Sequence, residues 1–199
     1  EQDPEEILVA VAASVRSALA KSGIRDDELA GLAMSSAMHS LIAMDERGEP
    51  LTRSLTWADS RGAEYVEVLR ERGTAEAIYR ATGTPIHPMS PLLKLMWLRD
   101  YAPEICEKAQ KYIGIKEYVL FRWFGRYVTD ESVASATGLY SLCDRAWYPP
   151  ALAAAGLSVE QLPELVPSTH ILEGMKPEWA DRLGVRRNLP VIIGASDGA

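Results

Sequence analysis

The chain has 199 residues, of which 47% are hydrophobic and 25% are charged, and its formal net charge is −7. This composition is typical of a globular protein with its own core, and the negative charge disfavours binding to the phosphate backbone of nucleic acids. No apolar run approaches the roughly 18 residues that cross a bilayer, which argues against a membrane partner.

The first third of the sequence predicts a helix followed by strands. Asp3 is a suitable N-cap, Pro4 suits the first helical position, and Gly23 is a typical helix stop. Apolar residues recur at helical spacing between them. Beyond this helix, strands are expected over residues 29–36, 40–44 and 51–57, the last two as a hairpin around a turn at 45–48, and a helix over 60–71.

The rest of the sequence alternates helices with strands. Three prolines between residues 83 and 91 exclude regular structure and predict a loop. Helices are expected over residues 92–99, 116–124, 130–136, 149–155 and 177–183, and strands over 111–114 and 190–194. The alternation predicts an α/β fold.

The two cysteines give information about redox state. Cys106 and Cys143 are far apart in sequence and have no ligand-like spacing to a histidine. This pattern disfavours a structural zinc site and predicts buried, reduced thiols in a cytoplasmic protein.

The end of the sequence places a carboxylate after a strand. Residues 191–193 lead into Gly194-Ala195-Ser196-Asp197-Gly198. An acid on a glycine-flanked turn at the end of a strand is a frequent active-site arrangement in α/β proteins, because glycine lets a ligand approach the backbone. The alternative is that Asp197 caps a following helix.

Two histidines have open interpretations. His39 follows Met38 between two predicted strands, where either a ligand contact or a core histidine fits. His87 lies between prolines in the predicted loop, as a surface turn or as part of a rigid binding loop.

Trp57 and Glu131 also have open interpretations. Trp57 precedes an Asp and an Arg; it is either a packed ring beside a helix cap or an exposed ring on which a sugar stacks. Glu131 follows Asp130 at a predicted helix start, where capping alone also explains the acids.

Taken together, these segments resemble the FGGY carbohydrate kinases. The matching patterns are E-x-D-P at residues 1–4, W-x-D-x-R at 57–61, T-G-x-P at 82–85, T-D-x-S-x-A-S-x-T at 129–137 and G-x-x-D-G at 194–198. Each pattern is unspecific alone, but their shared order argues against chance.

The resemblance implies an actin-like, ribonuclease-H-like α/β domain, in which a mixed sheet that lacks its first strands is flanked by helices. Residues 1–199 would form most of the N-terminal, sugar-binding domain of the family. Residue 1 is Glu rather than Met, and the family's first block and second domain are absent, so we expect a piece of a longer protein. Because the family's metal-holding Asp lies in that first block, we expect the piece alone to be inactive.

The resemblance also implies a reaction, in which the γ-phosphoryl group of ATP is transferred, with Mg²⁺, to a sugar hydroxyl. Asp197 takes the position of the catalytic base, and Gly198 that of a residue beside the nucleotide. No metal ligand is assigned within the 199 residues. The positions that line the sugar site are Met38, His39, Trp57 and Glu131.

The segments at residues 35–40, 82–89, 112–118 and 193–198 are most similar to those of gluconokinases. We therefore expect a small sugar acid as substrate, with gluconate converted to 6-phosphogluconate. A xylulose-type kinase and a non-catalytic sugar-binding protein are the alternatives. Xylulose kinases typically carry Gln and Asn where Ala37 and Ala58 stand, and glycerol kinases carry Arg-Glu in place of Met38-His39. The sequence leaves a homodimer open.

Overall fold

The computed structural model describes residues 1–198, and its first helix is built as the capping residues predict. In helix α1 (Pro4–Ser22), Asp3 accepts hydrogen bonds from the backbone N–H groups of Glu5 and Glu6 at 2.9 and 3.4 Å. Gly23 ends the helix with φ of +68°. An Asp at this position satisfies N–H groups that have no partner inside the helix.

Short strands and helices follow α1. The strands are β1 (Leu32–Ser36), β2 (Ile42–Met44), β3 (Lys111–Ile113), β4 (Val128–Asp130), β5 (Tyr140–Ser141), β6 (Ala146–Trp147), β7 (Glu164–Val166), β8 (Ile171–Leu172) and β9 (Val191–Ser196). The further helices are α2 (Tyr65–Glu71), α3 (Ala75–Thr82), α4 (Pro91–Tyr101), α5 (Pro103–Lys108), α6 (Ile115–Phe124), α7 (Glu131–Ser135), α8 (Pro149–Ala155) and α9 (Pro177–Leu183). The expected α/β alternation is confirmed.

The strands form one mixed sheet and three two-stranded pairs within the described residues. In the mixed sheet, β9 lies between β1, which is parallel to it, and β8, which is antiparallel. The pairs are β2 with β3, β4 with β7, and β5 with β6, of which only β4–β7 is parallel. The C-terminal end of β9 therefore lies beside the end of β1.

A change of register between β1 and β9 depends on a glycine. Ala33 pairs with Ile192 but Ser35 pairs with Ala195, so β9 has one extra residue opposite Met34. Gly194 lies there with φ of +68°, a conformation that side chains disfavour. A Cβ at this position would overlap the Met34 carbonyl oxygen and lie 2.9 Å from its carbonyl carbon. Glycine is therefore required where β9 turns toward Asp197.

The buried apolar residues form two clusters. One joins α1, α6 and α9 to the mixed sheet, with Trp123 and Leu183 fully buried. The other joins α2, α4 and α8, with Leu69 and Leu93 at its centre. No helix in residues 1–198 is both long and apolar enough to cross a membrane.

The predicted strand over residues 51–57 is wrong. Only isolated bridges form here, such as that between Leu41 and Leu55, while Ser54 pairs with Gln2. The register changes between the Met44–Pro50 and Leu41–Leu55 bridges, and the Ala43 N–H donates to the Thr52 hydroxyl oxygen at 3.1 Å, so a continuous ladder with β2 does not develop. The turn at 45–48 is confirmed, since the Gly48 N–H donates to the Asp45 carbonyl at 3.1 Å.

Two further expectations need correction. The helix expected over residues 60–71 begins only at Tyr65, because residues 61–64 form turns. Both cysteines are free, but only Cys106 is partly buried. Cys143 is exposed because it lies in the turn between β5 and β6, so the expectation of a buried thiol is wrong for it.

Candidate active site

Asp197 lies on the turn directly after β9 and its side chain is exposed. Its backbone N–H donates to the Ser36 carbonyl at 2.9 Å, and its Oδ1 accepts from the Met38 N–H at 3.3 Å. The carboxylate is thus held between the ends of β1 and β9, where it can meet a ligand. The alternative role as a helix N-cap involves residue 199, which lies outside the described residues.

Met38 covers this turn from the β1 side. A Cβ placed on Gly198 would overlap the Met38 Cε methyl group and lie 3.7 Å from its sulfur. Met38 also lines a pocket of about 340 Å³ together with Trp57. The structure therefore brings Met38, Trp57 and the Asp197-Gly198 turn to one side of the molecule.

His39 is half-buried, between the two expected extremes. Its Nδ1 donates to the Ala136 carbonyl at 2.8 Å, because a carbonyl oxygen can only accept. Burial lowers the pKa of His39, and the positive charge of Lys94 lowers this pKa further. The neutral ring therefore carries its proton on Nδ1 and offers Nε2 as a hydrogen-bond acceptor.

Trp57 is exposed, with 63% of the residue accessible to solvent, which agrees with the interpretation as a ring on which a sugar can stack. Its charged neighbours are engaged with each other: Arg61 pairs with Asp59 at 2.8 Å, and its guanidinium stacks over Trp97 at 4.8 Å. An exposed indole that borders a pocket suits stacking on the C–H face of a sugar.

Glu131 and the preceding Asp130 make different contacts. Asp130 is the N-cap of α7, since its Oδ1 accepts from the N–H groups of Ser132 and Val133 at 2.9 and 3.1 Å. Glu131 instead pairs with Arg145 at 2.7 Å, and this hydrogen bond lowers the pKa of the Glu131 carboxyl. Capping thus explains Asp130, whereas Glu131 is an ionised group with unused acceptor capacity.

Lys116 connects α7 to β9 and was not identified as a site residue from the sequence. Its side chain is fully buried and forms an ion pair with Asp130. The same ammonium donates to the carbonyls of Ile193 and Ala195 at 3.2 and 3.3 Å, on either side of Gly194. The lysine therefore links the helix that carries Glu131 to the strand that carries Asp197.

Glu117 is a second buried ionisable residue that the sequence analysis missed. One carboxyl oxygen accepts from the Thr129 hydroxyl at 2.5 Å, and the other is buried without a partner. Burial raises the pKa of Glu117, which favours the neutral acid. With His39 it lines a cavity of about 30 Å³, enough for one water molecule.

His87 forms a local turn contact. It is exposed, and its Nδ1 accepts from the Met89 N–H at 3.2 Å. This arrangement agrees with the surface-turn interpretation. Among residues 1–198, no group of three or more His, Cys, Asp and Glu side chains could hold a metal ion.

Comparisons of sequence and of structure with known proteins both match carbohydrate kinases. The model of the N-terminal domain of the FGGY family of carbohydrate kinases matches residues 1–199. A gluconokinase from Bacillus licheniformis is 45% identical over 198 residues, which is all of this chain but 38% of that protein.

Solved structures agree with these sequence matches. The crystal structure of a gluconate kinase from Lactobacillus acidophilus superposes with a TM-score of 0.94 at 40% identity, covering 100% of this chain and 40% of the other. A ligand-bound xylulose kinase from the same organism gives 0.93 at 40% identity, covering 98% and 39%. These matches confirm the expected actin-like α/β fold. The chain spans about two fifths of the length of these relatives.

Proposed function

This chain belongs to the FGGY family of carbohydrate kinases, and we propose that the enzyme containing it transfers the γ-phosphoryl group of ATP to a hydroxyl of gluconate. Residues 1–199 are most of its N-terminal, sugar-binding domain. The observation that carries the proposal is the exposed Asp197 carboxylate on the turn after β9, which accepts a hydrogen bond from the Met38 N–H and whose charge acts on His39. Met38 in turn lines a pocket together with Trp57.

Asp197 is the proposed general base. As the hydroxyl oxygen attacks the γ-phosphorus, a new O–P bond forms and the bond to the β-phosphate oxygen breaks, while the hydroxyl proton passes to the carboxylate. Oδ1 already accepts from Met38, so we assign the proton to Oδ2. Phosphoryl transfer relies mainly on positioning, and the base completes the nucleophile.

The sugar contacts follow from the side chains around this carboxylate. The Trp57 indole stacks on the sugar, and Met38 packs against the apolar C–H groups at the edge of the sugar. The ionised Glu131 accepts from hydroxyl groups. His39 Nε2 accepts from a hydroxyl when the ring is neutral and donates to a carboxylate when the ring is protonated.

The family implies ATP as phosphoryl donor. Gly198 carries no side chain on the turn after Asp197, which allows close approach of the nucleotide. Mg²⁺ is expected for ATP chemistry, but the described residues do not form a metal centre. We place the enzyme in the cytoplasm, where an exposed thiol such as Cys143 stays reduced.

A substrate panel tests the proposal. ATP consumption by the full-length enzyme would be measured with gluconate, xylulose, glycerol, ribulose and rhamnulose. We expect the largest kcat/KM with gluconate. A preference for xylulose would favour the second candidate, which the similar xylulose kinase structure supports. Absence of turnover with every sugar would contradict the kinase proposal and favour a sugar-binding protein.

The role of Asp197 is tested by Asp197→Asn in the full-length enzyme. The amide is nearly isosteric but cannot take the proton, so kcat should fall by about two to four decades while KM for the sugar changes much less. The matched control is Asp181→Asn, since Asp181 is an exposed carboxylate on α9. If folded Asp197→Asn keeps more than about a tenth of the kcat, the base lies elsewhere.

A further inference from the structure

Lys94 is a charged side chain with no role in the proposed reaction. It lies in α4 between Leu93 and Leu95, and its solvent exposure is 0%. In residues 1–198, no carboxylate lies within 4.0 Å of its ammonium group. A buried ammonium without a carboxylate is unfavourable, because little compensates for its lost hydration.

The partners of Lys94 are two backbone carbonyls that come from different segments. Its Nζ donates to the His39 carbonyl and, at 2.8 Å, to the Thr56 carbonyl. His39 directly follows Met38, and Thr56 directly precedes Trp57. One ammonium therefore joins the two segments that line the pocket of about 340 Å³.

The backbone at His39 is in a conformation that needs support. Its φ of +65° is unusual for a residue other than glycine. Such a conformation persists only where the surroundings enforce it, typically at functional sites. The hydrogen bond from Lys94 to the His39 carbonyl, together with that from Nδ1 to Ala136, supplies this support.

The charge of Lys94 is consistent with this placement. Burial lowers its pKa to about 8, and the nearby Arg61 lowers it while Asp59 opposes the shift. The group still carries a charge at pH 7, when its hydrogen bonds to carbonyls are charge-assisted and stronger than those of a neutral donor.

We infer that Lys94 is a positioning residue that fixes the Met38-His39 segment and the Trp57 segment relative to each other, so that both can contact the sugar. This inference rests on the proposed function. It does not contact the substrate itself. Its effect passes through the carbonyls of His39 and Thr56. Loss of this anchor lets the two segments move independently, and misplacement of contacts by about 1 Å is enough to lower the rate by about a hundredfold.

The test is Lys94→Met in the full-length enzyme. Met has a similar length but no donor or charge. We expect kcat/KM for the sugar to fall by about tenfold to a hundredfold, while KM for ATP stays the same. Amide hydrogen exchange without substrate should become faster in residues 37–40 and 56–59. A purely structural role would lower Tm but leave the sugar KM and the exchange of these segments unchanged.

Lys111 offers a matched control. This β3 residue also donates to two carbonyls, those of Glu160 and Leu162, and burial lowers its pKa. It does not line the Met38–Trp57 pocket. Lys111→Met should lower stability without changing the sugar kinetics. Equal effects of the two substitutions on the sugar KM would overturn the inference.

A second variant covers the case in which Lys94→Met does not fold. Lys94→Gln keeps two N–H donors but is neutral and shorter, and it should weaken sugar binding less. An unchanged sugar KM and unchanged exchange in the folded Gln variant would overturn the inference. If the wild-type enzyme phosphorylates no sugar, the proposed function fails, whereas the exchange measurement still decides the role of Lys94.

Discussion

Replacing Gly194 with alanine tests whether the register change between β1 and β9 sets the position of Asp197. The new methyl group would meet the Met34 backbone, at less than the 3.0 Å that real Cβ contacts keep. Because the obstacle is backbone rather than a flexible side chain, one strand must move. Asp197 follows three residues later and shares this movement.

The expected magnitude has two parts. A side chain at positive φ costs about 1–2 kcal/mol wherever it occurs. Forcing a group into a packed site adds about 1–3 kcal/mol. Gly184 isolates the first part, because its φ is +74° and a Cβ there would have no neighbour within 4 Å. Gly194→Ala should therefore lower the free energy of unfolding by about 1–3 kcal/mol more than Gly184→Ala.

Thermal unfolding and steady-state kinetics of the full-length enzyme measure both effects. At about 1 °C per kcal/mol for an enzyme roughly two and a half times the length of this chain, the extra loss in Tm for Gly194→Ala is roughly 1–3 °C. Its kcat should fall by about a hundredfold if Asp197 moves by about 1 Å, while Gly184→Ala keeps wild-type kcat. Equal Tm losses with unchanged kcat in both variants would refute the link between the strand crossing and catalysis.

Two further predictions concern titratable groups. Burial keeps His39 neutral above its lowered pKa, so a carboxylate held by Nε2 requires proton uptake. The gluconate KM should therefore rise as the pH increases through this lowered pKa, starting below the ordinary value of about 6.5. A flat profile, or the same slope in His39→Gln, would contradict a carboxylate contact. Lys116→Met leaves the Asp130 charge buried and should destabilise the enzyme by about 3–5 kcal/mol. Adding Asp130→Asn, which keeps the capping acceptor, should recover part of this loss when stability is measured by urea titration. Strictly additive losses of stability in the double variant would argue against the ion pair.

The sequence predicts elements well where local chemistry determines them. The N-cap at Asp3, the stop at Gly23 and the proline-started helices α8 and α9 are all found where expected. Strands β5 and β8 have two residues each, too few to produce a periodic pattern. They exist because of tertiary pairing, so the sequence alone does not reveal them.

The candidate site shows a similar division. Asp197 and Trp57 are recognisable because turn glycines and motif spacing mark them, and both are exposed. Lys94, Lys116 and Glu117 were missed as site residues. Their sequence signal is a charge within an apolar helical stretch, which also fits an ordinary amphipathic surface. Only their burial distinguishes them.

The two buried lysines have the same effect on the backbone of the candidate site. Met38, His39 and Asp197 follow strands β1 and β9, and Trp57 lies on a turn outside any named strand, so few ladder hydrogen bonds fix the backbone at these residues. A lysine on a packed helix reaches such segments from the core and donates to more than one carbonyl. Lys94 holds the segments of His39 and Trp57, and Lys116 holds the strand before Asp197. Because each anchor serves several contacts, its loss should disturb them together, whereas loss of one contact residue should leave the others in place.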